Sequence, residues 1–129
     1  MKIGITGTRN GMTESQRSTV SAILLNFPNS ELHHGDCCGV DIQVAEIATS
    51  IGLTTICHPP INPSLRAFHT STEIRDPYTY FVRNRHIVDE SDIILVIPKE
   101  TSPQKKGGTW YTHDYALKLN KQVFVIYPN

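Results

Sequence analysis

The sequence predicts an α/β protein built on a doubly wound, mostly parallel sheet of about five strands, with helices on both faces. Two observations carry this. Short β-rich runs alternate with helical patterns along the chain, and such alternation implies parallel pairing through right-handed crossovers. The run Ile93 to Ile97 is apolar without a break, as a central strand buried on both faces requires.

Each element has its own signal. The first strand is Lys2 to Thr6, ending in Gly7-Thr8-Arg9. A helix starts near Thr13, where Thr13 and Gln16 have capping-box spacing. Val20, Ile23, Leu24 and Phe27 form its apolar face, and Pro28-Asn29 stop it. The second strand is Glu31 to His34, followed by the turn Gly35-Asp36-Cys37-Cys38-Gly39. The second helix carries Val44, Ile47, Ala48 and Ile51 and ends at Gly52, a natural C-terminal glycine. Leu53 to Cys57 is the third strand. His58 to Asp76 reads as one long irregular stretch, and loops of that length in compact domains tend to be functional or mobile. Asp76-Pro77 then reads as N-cap and first residue of the third helix. Asp92 leads the fourth strand, Ile93 to Ile97. After a polar loop, Gly107-Gly108-Thr109 opens the last helix, with Thr112, Tyr115, Ala116 and Leu119 on one side. Val123 to Tyr127 is the fifth strand.

The chain has 129 residues and 39% apolar content, in the range of one ordinary domain, here residues 1–129. No apolar run approaches the roughly 20 residues of a membrane span, and the N-terminal stretch lacks a secretory pattern. A cytoplasmic protein with no membrane partner is the expectation. Twelve basic side chains balance twelve acidic ones, so an extended nucleic-acid partner is less expected than a small anion. The three cysteines, Cys37, Cys38 and Cys57, make a poor disulfide framework. His33-His34 with Cys37-Cys38 lacks the spacing of a zinc site, so no metal and no cofactor are expected.

In a doubly wound sheet the ligand lies at the carboxyl ends of the strands, and three small-residue turns fall there. In Gly7-Thr8-Arg9, glycine admits a ligand, Thr8 offers a hydroxyl and Arg9 can fork onto a phosphate. The same tripeptide also suits a plain turn. Gly35 and Gly39 free backbone N–H groups at a helix start, where an anion is favoured. Asp36 and Asp41 in that turn suit sugar hydroxyls, or helix capping. Gly107-Gly108-Thr109, preceded by Lys105-Lys106, makes an anion nest, or an entry loop with a threonine cap. In Arg83-Asn84-Arg85, Arg85 can pair with Asp89 four residues on. That leaves Arg83 and Asn84 to face the ligand.

Taken in order, these pieces resemble the SLOG superfamily, which groups the lonely guy phosphoribohydrolases with the DNA-processing protein A family. The matching residues are Gly4 to Arg9; His34-Gly35-Asp36 with Gly39-Val40-Asp41 and Ala45; Arg83-Asn84-Arg85 with Ser91-Asp92; and Gly107-Gly108-Thr109 with Ala116. The resemblance, closest to small stand-alone bacterial and phage members, implies a Rossmann-like fold, a nucleotide or nucleotide-derived ligand, and a homodimer or higher homo-oligomer. The lonely guy enzymes cleave the N-glycosidic bond of nucleoside monophosphates. Their Arg-Lys pair falls on Arg83 and Asn84, and their Pro-Gly-Gly-x-Gly-Thr-x-x-Glu motif maps partly. With its Gly-Thr on Gly108-Thr109, the glutamate position is Thr112. A carboxylate for catalysis would have to come from Asp114, Asp36 or Asp41. The expected function is therefore binding, as a sensor or sequestering protein. N-glycoside hydrolysis is the first alternative. Single-stranded DNA binding, with Tyr78, Tyr80, Trp110 or Tyr111 stacking on bases, is the second.

Overall fold

The computed structural model describes residues 1–129. Its sheet has six strands in the order β4-β3-β2-β1-β5-β6, and every pairing between them is parallel. The strands are β1 (Lys2–Gly7), β2 (Glu31–His34), β3 (Thr54–Cys57), β4 (Glu73–Ile74), β5 (Ile93–Ile97) and β6 (Gln122–Val125). The helices are α1 (Glu14–Leu25), α2 (Val40–Ser50), α3 (Tyr80–Glu90) and α4 (Gly108–Lys118).

The period-two alternation of β5 sorts the two faces. Ile93, Leu95 and Ile97 join Ile3 and Ile5 of β1 under α1 and α2, whose Val20, Leu24, Val44 and Ala48 complete that core. Ile94 and Val96 face the other way, onto Val88 of α3 and Ala116 of α4. Two helices therefore cover each face, and all five residues of β5 are buried. Gly4 is glycine because α3 lies so close: a Cβ there would stand 2.5 Å from Ser91 Oγ and 3.0 Å from Ile87 Cγ2.

The capping box at Thr13 and Gln16 forms as the spacing predicts. Gln16 does more than cap. Its buried amide donates to the carbonyls of Pro98 and Ile126, both at 2.8 Å, and so ties α1 to the ends of β5 and β6.

Two elements differ from expectation. The stretch 58–76 contains a 3-10 turn at Pro63–Leu65 and the short sixth strand β4. The third helix starts at Tyr80 with Thr79 as N-cap, not at Asp76-Pro77. The cause is tertiary: Ile61 N–H donates to Tyr78 O and Tyr78 N–H to Pro59 O. Those bonds hold the chain before Thr79 extended, and helical geometry begins only beyond them.

Candidate ligand-binding site

The sheet changes direction between β1 and β5. The first four strands run outward from β1 on one side, and β5 and β6 lie on the other. A crevice outside the carboxyl ends of two such strands is where open α/β sheets bind ligands. Here it is a groove of about 480 Å³ walled by Thr8, Arg9 and Asn10 after β1, Lys99 after β5, and the start of α4.

The start of α4 is built to present donors. Its N-cap, Gly107, has φ +103 and makes no side-chain cap bond, a conformation that favours glycine. The first intrahelical bond to that cap is Tyr111 N–H to Gly107 O. The N–H groups of Gly108, Thr109 and Trp110 precede it and have no carbonyl four residues back within the helix. The threonine-cap alternative does not form, since Thr109 lies inside the helix. Gly108 is glycine for a steric reason: a Cβ would come within 2.6 Å of the Tyr80 ring. Arg9, Lys99 and Lys106 add three positive charges to the groove, against one from Glu100. Glu100 is engaged by Trp110, whose indole N–H donates to it at 3.0 Å.

Arg9 is exposed and lies over the Tyr80 ring, 5.6 Å from its centroid. The same two residues border a second hollow of about 470 Å³ that also involves Pro60, Ile61 and Leu65. A charged groove and a more apolar hollow thus share the Arg9–Tyr80 wall. The sequence singled out Tyr80 only as one of four aromatics able to stack on a base, with nothing to pair it with Arg9.

Arg83 and Asn84 were expected to face the ligand, and the structure turns them inward. Arg83 is 2% exposed. Its Nη1 donates to Gly35 O and, at 3.1 Å, to His58 O. Its Nε donates to Asn84 Oδ1 at 2.7 Å, and Nη2 lies 3.5 Å from Cys37 Sγ. Its guanidinium sits 4.8 Å from the Tyr80 centroid. Arg83 is therefore a post under Tyr80 that clamps the ends of β2 and β3. The expected Arg85–Asp89 pair is also replaced, because Asp89 accepts a 2.7 Å bond from the Tyr115 hydroxyl. Arg85 lines a neighbouring groove of about 570 Å³ with Lys105, Lys106, Lys118, Phe81 and Tyr111.

The turn Gly35 to Gly39 is likewise committed to the fold. A Cβ on Gly35 would stand 2.6 Å from Arg83 Nη1, and one on Gly39 would stand 2.4 Å from Arg9 O. A Cβ on Gly7 would meet Val40 Cγ1 at 2.5 Å. These glycines admit protein atoms where the sequence suggested a ligand. Asp36 is fully buried. Its carboxylate accepts from Arg66 Nε at 2.8 Å, Phe68 N–H at 3.2 Å and His69 N–H at 2.9 Å, pinning the loop that follows β3. Asp41 accepts from the N–H groups of Gly35 and Cys37. Burial pushes its carboxyl up to about 6, against the pull of the Arg83 charge and those two N–H groups.

The one remaining catalytic candidate, Asp114, does not line the groove between β1 and β5. Asp114 is exposed and pairs with His113 Nδ1 at 2.9 Å. The Thr112 hydroxyl donates to Gly108 O within α4. Trp110 is 2% exposed and so belongs to the core, which removes it as a base-stacking platform. Tyr78 packs edge-on against His86. His33 and His34 diverge: His33 bonds Glu31 and His58, and His34 bonds Ser71. No cluster forms from them with Cys37 and Cys38.

No helix is long and apolar enough to cross a membrane. No protein-family model and no curated protein sequence matches the chain. Solved structures do match. A molybdenum cofactor binding protein from the phototrophic bacterium Rippkaea orientalis superposes with a TM-score of 0.73 at 22% identity, over 99% of this chain and 77% of that one. DNA processing protein A from Streptococcus pneumoniae gives 0.71 at 17% identity, over 96% of this chain and 49% of that one. The Helicobacter pylori protein of the same name, described for its single-stranded DNA binding mode, gives 0.69 at 22%, over 97% and 64%. The chain spans about half to two thirds of the DNA processing proteins it matches. At these identities the likeness shows the fold alone, a Rossmann-like α/β architecture shared with these proteins.

Proposed function

We propose that the protein binds a nucleotide or nucleotide derivative through its phosphate in the groove between β1 and β5, as a sensor or sequestering protein. One observation carries the reading: the uncapped start of α4 faces a groove that also holds Arg9, Lys99 and Lys106. Helix N–H groups and the helix dipole favour an anion there. The Arg9–Tyr80 wall and the hollow beyond it offer a place for the rest of the ligand.

Two substitutions test the groove. Arg9→Ala should weaken binding of the cognate nucleotide more than tenfold, the loss of one charge-assisted hydrogen bond of about 1.5–3 kcal/mol. Gly108→Asp should weaken it further, because it puts charge and bulk at the nest and against Tyr80. The ligand is first identified by mass spectrometry of what co-purifies with the protein. Unchanged affinity in both variants would overturn the proposal.

Strong base release from nucleoside monophosphates is not expected. Thr112 is neutral, Asp36 is consumed by its loop, Asp41 is buried and accepts from the N–H groups of Gly35 and Cys37, and Asp114 is bonded to His113. A missing positioned acid or base typically costs about 10²–10⁴-fold. Chromatography of free base after incubation with a nucleotide panel checks this, and rapid release would make the protein a hydrolase.

A second reading has one observation in its favour. The groove holding Arg85, Lys105, Lys106 and Lys118 adjoins the first and adds Phe81 and Tyr111, the mix of charge and aromatic faces that single strands use. It predicts that short single-stranded oligonucleotides bind more weakly in Lys118→Ala, with a mononucleotide unaffected.

A further inference from the structure

Where β2 and β3 lie side by side, two buried histidines meet. His33 Nδ1 and His58 Nε2 lie 2.9 Å apart. The other nitrogen of His33, Nε2, is 3.0 Å from Glu31 Oε1. A carboxylate only accepts, so Nε2 carries the proton and Nδ1 presents its lone pair. His58 Nδ1 faces Glu90 Oε2 at 3.9 Å, beyond hydrogen-bond reach. Glu90 uses its other oxygen to accept from Arg75 Nη2 at 2.8 Å. One ring nitrogen from each histidine and one Glu90 oxygen all lie within 4.8 Å of one another.

We infer that His33, His58 and Glu90 form a binding site for a divalent first-row transition ion of the zinc type. Two imidazoles and a carboxylate are the ligand set of an open zinc site. Bonds of about 2.0–2.2 Å place tetrahedral ligand atoms about 3–3.5 Å apart, a span these three groups reach with small side-chain adjustments. The outer groups are arranged as such a site needs. Glu31 fixes the His33 ring and its tautomer, and Arg75 holds the far oxygen of Glu90, so each orients a ligand. The local charge favours a cation. Four carboxylates, Glu31, Glu73, Glu90 and Asp76, stand around the histidines against two cations: Arg75, which pairs with Glu73 and Glu90, and Arg83, which donates to the His58 carbonyl. The ion has a way in, because His58 and Glu90 open onto a hollow of about 270 Å³ bordered by Asp76, Tyr78 and His86. Water from that hollow completes the coordination.

The other cluster of this composition lacks these features. His34, Asp36 and Cys57 also approach within 4.8 Å, but all three are fully buried. Asp36 already accepts three bonds, from Arg66 Nε and the N–H groups of Phe68 and His69. An ion there would have to break a satisfied network with no route from solvent.

The test titrates the purified protein with Zn²⁺ by calorimetry and with Co²⁺ by absorption spectroscopy, and repeats both on Glu90→Gln, His58→Ala and Cys57→Ala. Expected is one ion per chain and a Co²⁺ spectrum without a thiolate charge-transfer band. Cys57→Ala should match the parent. Glu90→Gln sits at the rim, so it should keep the fold by circular dichroism while weakening binding at least about tenfold. His58→Ala should abolish uptake. Three results would overturn the site: no uptake by the parent protein, a thiolate band in its spectrum, or equal affinity in Glu90→Gln.

Discussion

Arg83→Ala is expected to lower the free energy of unfolding by about 3–5 kcal/mol, the usual cost of removing one partner from a buried charge network. The guanidinium is the buried positive charge that offsets Asp41, and it satisfies the carbonyls of Gly35 and His58 from one planar group. Without it, two buried carbonyls lose their donor and Asp41 loses its neighbouring charge. The Tyr80 ring also loses the cation beneath it. Arg83→Lys should rescue little, because one ammonium cannot reach four acceptors held in a fork. Arg85→Ala, on an exposed side chain, should be close to neutral. Urea unfolding of the three variants measures this. A ligand-affinity loss in Arg83→Ala with unchanged stability would instead make Arg83 a contact residue.

Acid should unfold the protein steeply below about pH 6.5. Burial lowers His34 to about 3. Burial first, and then the charge of neighbouring His33, lowers His58 to about 4. A histidine with a depressed folded value stays neutral while the unfolded chain takes up a proton. Its stabilising effect is full above about 6.5 and fades as pH falls toward the folded value. By pH 5 each costs about 2 kcal/mol. His33 acts in the same direction, its value also lowered by burial. Asp41 works oppositely. Its folded carboxyl takes a proton near pH 6, before the unfolded one does, and by pH 5 this restores about 1 kcal/mol. The net loss of about 3 kcal/mol is a large part of ordinary domain stability. Comparing denaturant midpoints at pH 7.5 and pH 5 reads the slope. His34→Gln should shrink the difference by about 2 kcal/mol, and an unchanged slope would show that His34 is not held neutral.

The sheet was largely legible because its strands announce themselves locally. Glu31 to His34 and Ile93 to Ile97 match the structure residue for residue, and the Thr13 cap is a property of four neighbouring residues. The two-residue β4 was not legible, since it exists only through its pairing with Ile56 and Cys57. The start of α3 was misplaced for the same kind of reason, a bond partner 17 residues away. Among site residues, the glycines and the aspartates of the β2–α2 turn were found by type but not by role. Sequence shows that Gly35 must leave room; it does not show that Arg83, 48 positions on, fills that room. An arginine in a polar tripeptide gives no sign that its fork will be spent on carbonyls. The His33–His58 pair was equally hidden, because its members come from two strands and meet only once β2 and β3 are in register.

The place of β1 in the sheet bears on how the chain acquires its fold during synthesis. Its partners on either side are β2, which follows within about thirty residues, and β5, whose pairing joins Ile3 to Ile93 and Gly7 to Ile97. Until residue 97 has left the ribosome, one edge of β1, a strand whose residues Ile3 to Thr6 are all buried in the finished fold, stays open. At about 5–20 residues per second, that interval lasts several seconds or longer, and an unpaired apolar edge is a template for association with other chains. Pairing of such long sequence separation also slows folding once the chain is complete. Nascent chains stalled before Ile93 should thus be the aggregation-prone species and the ones that chaperones retain.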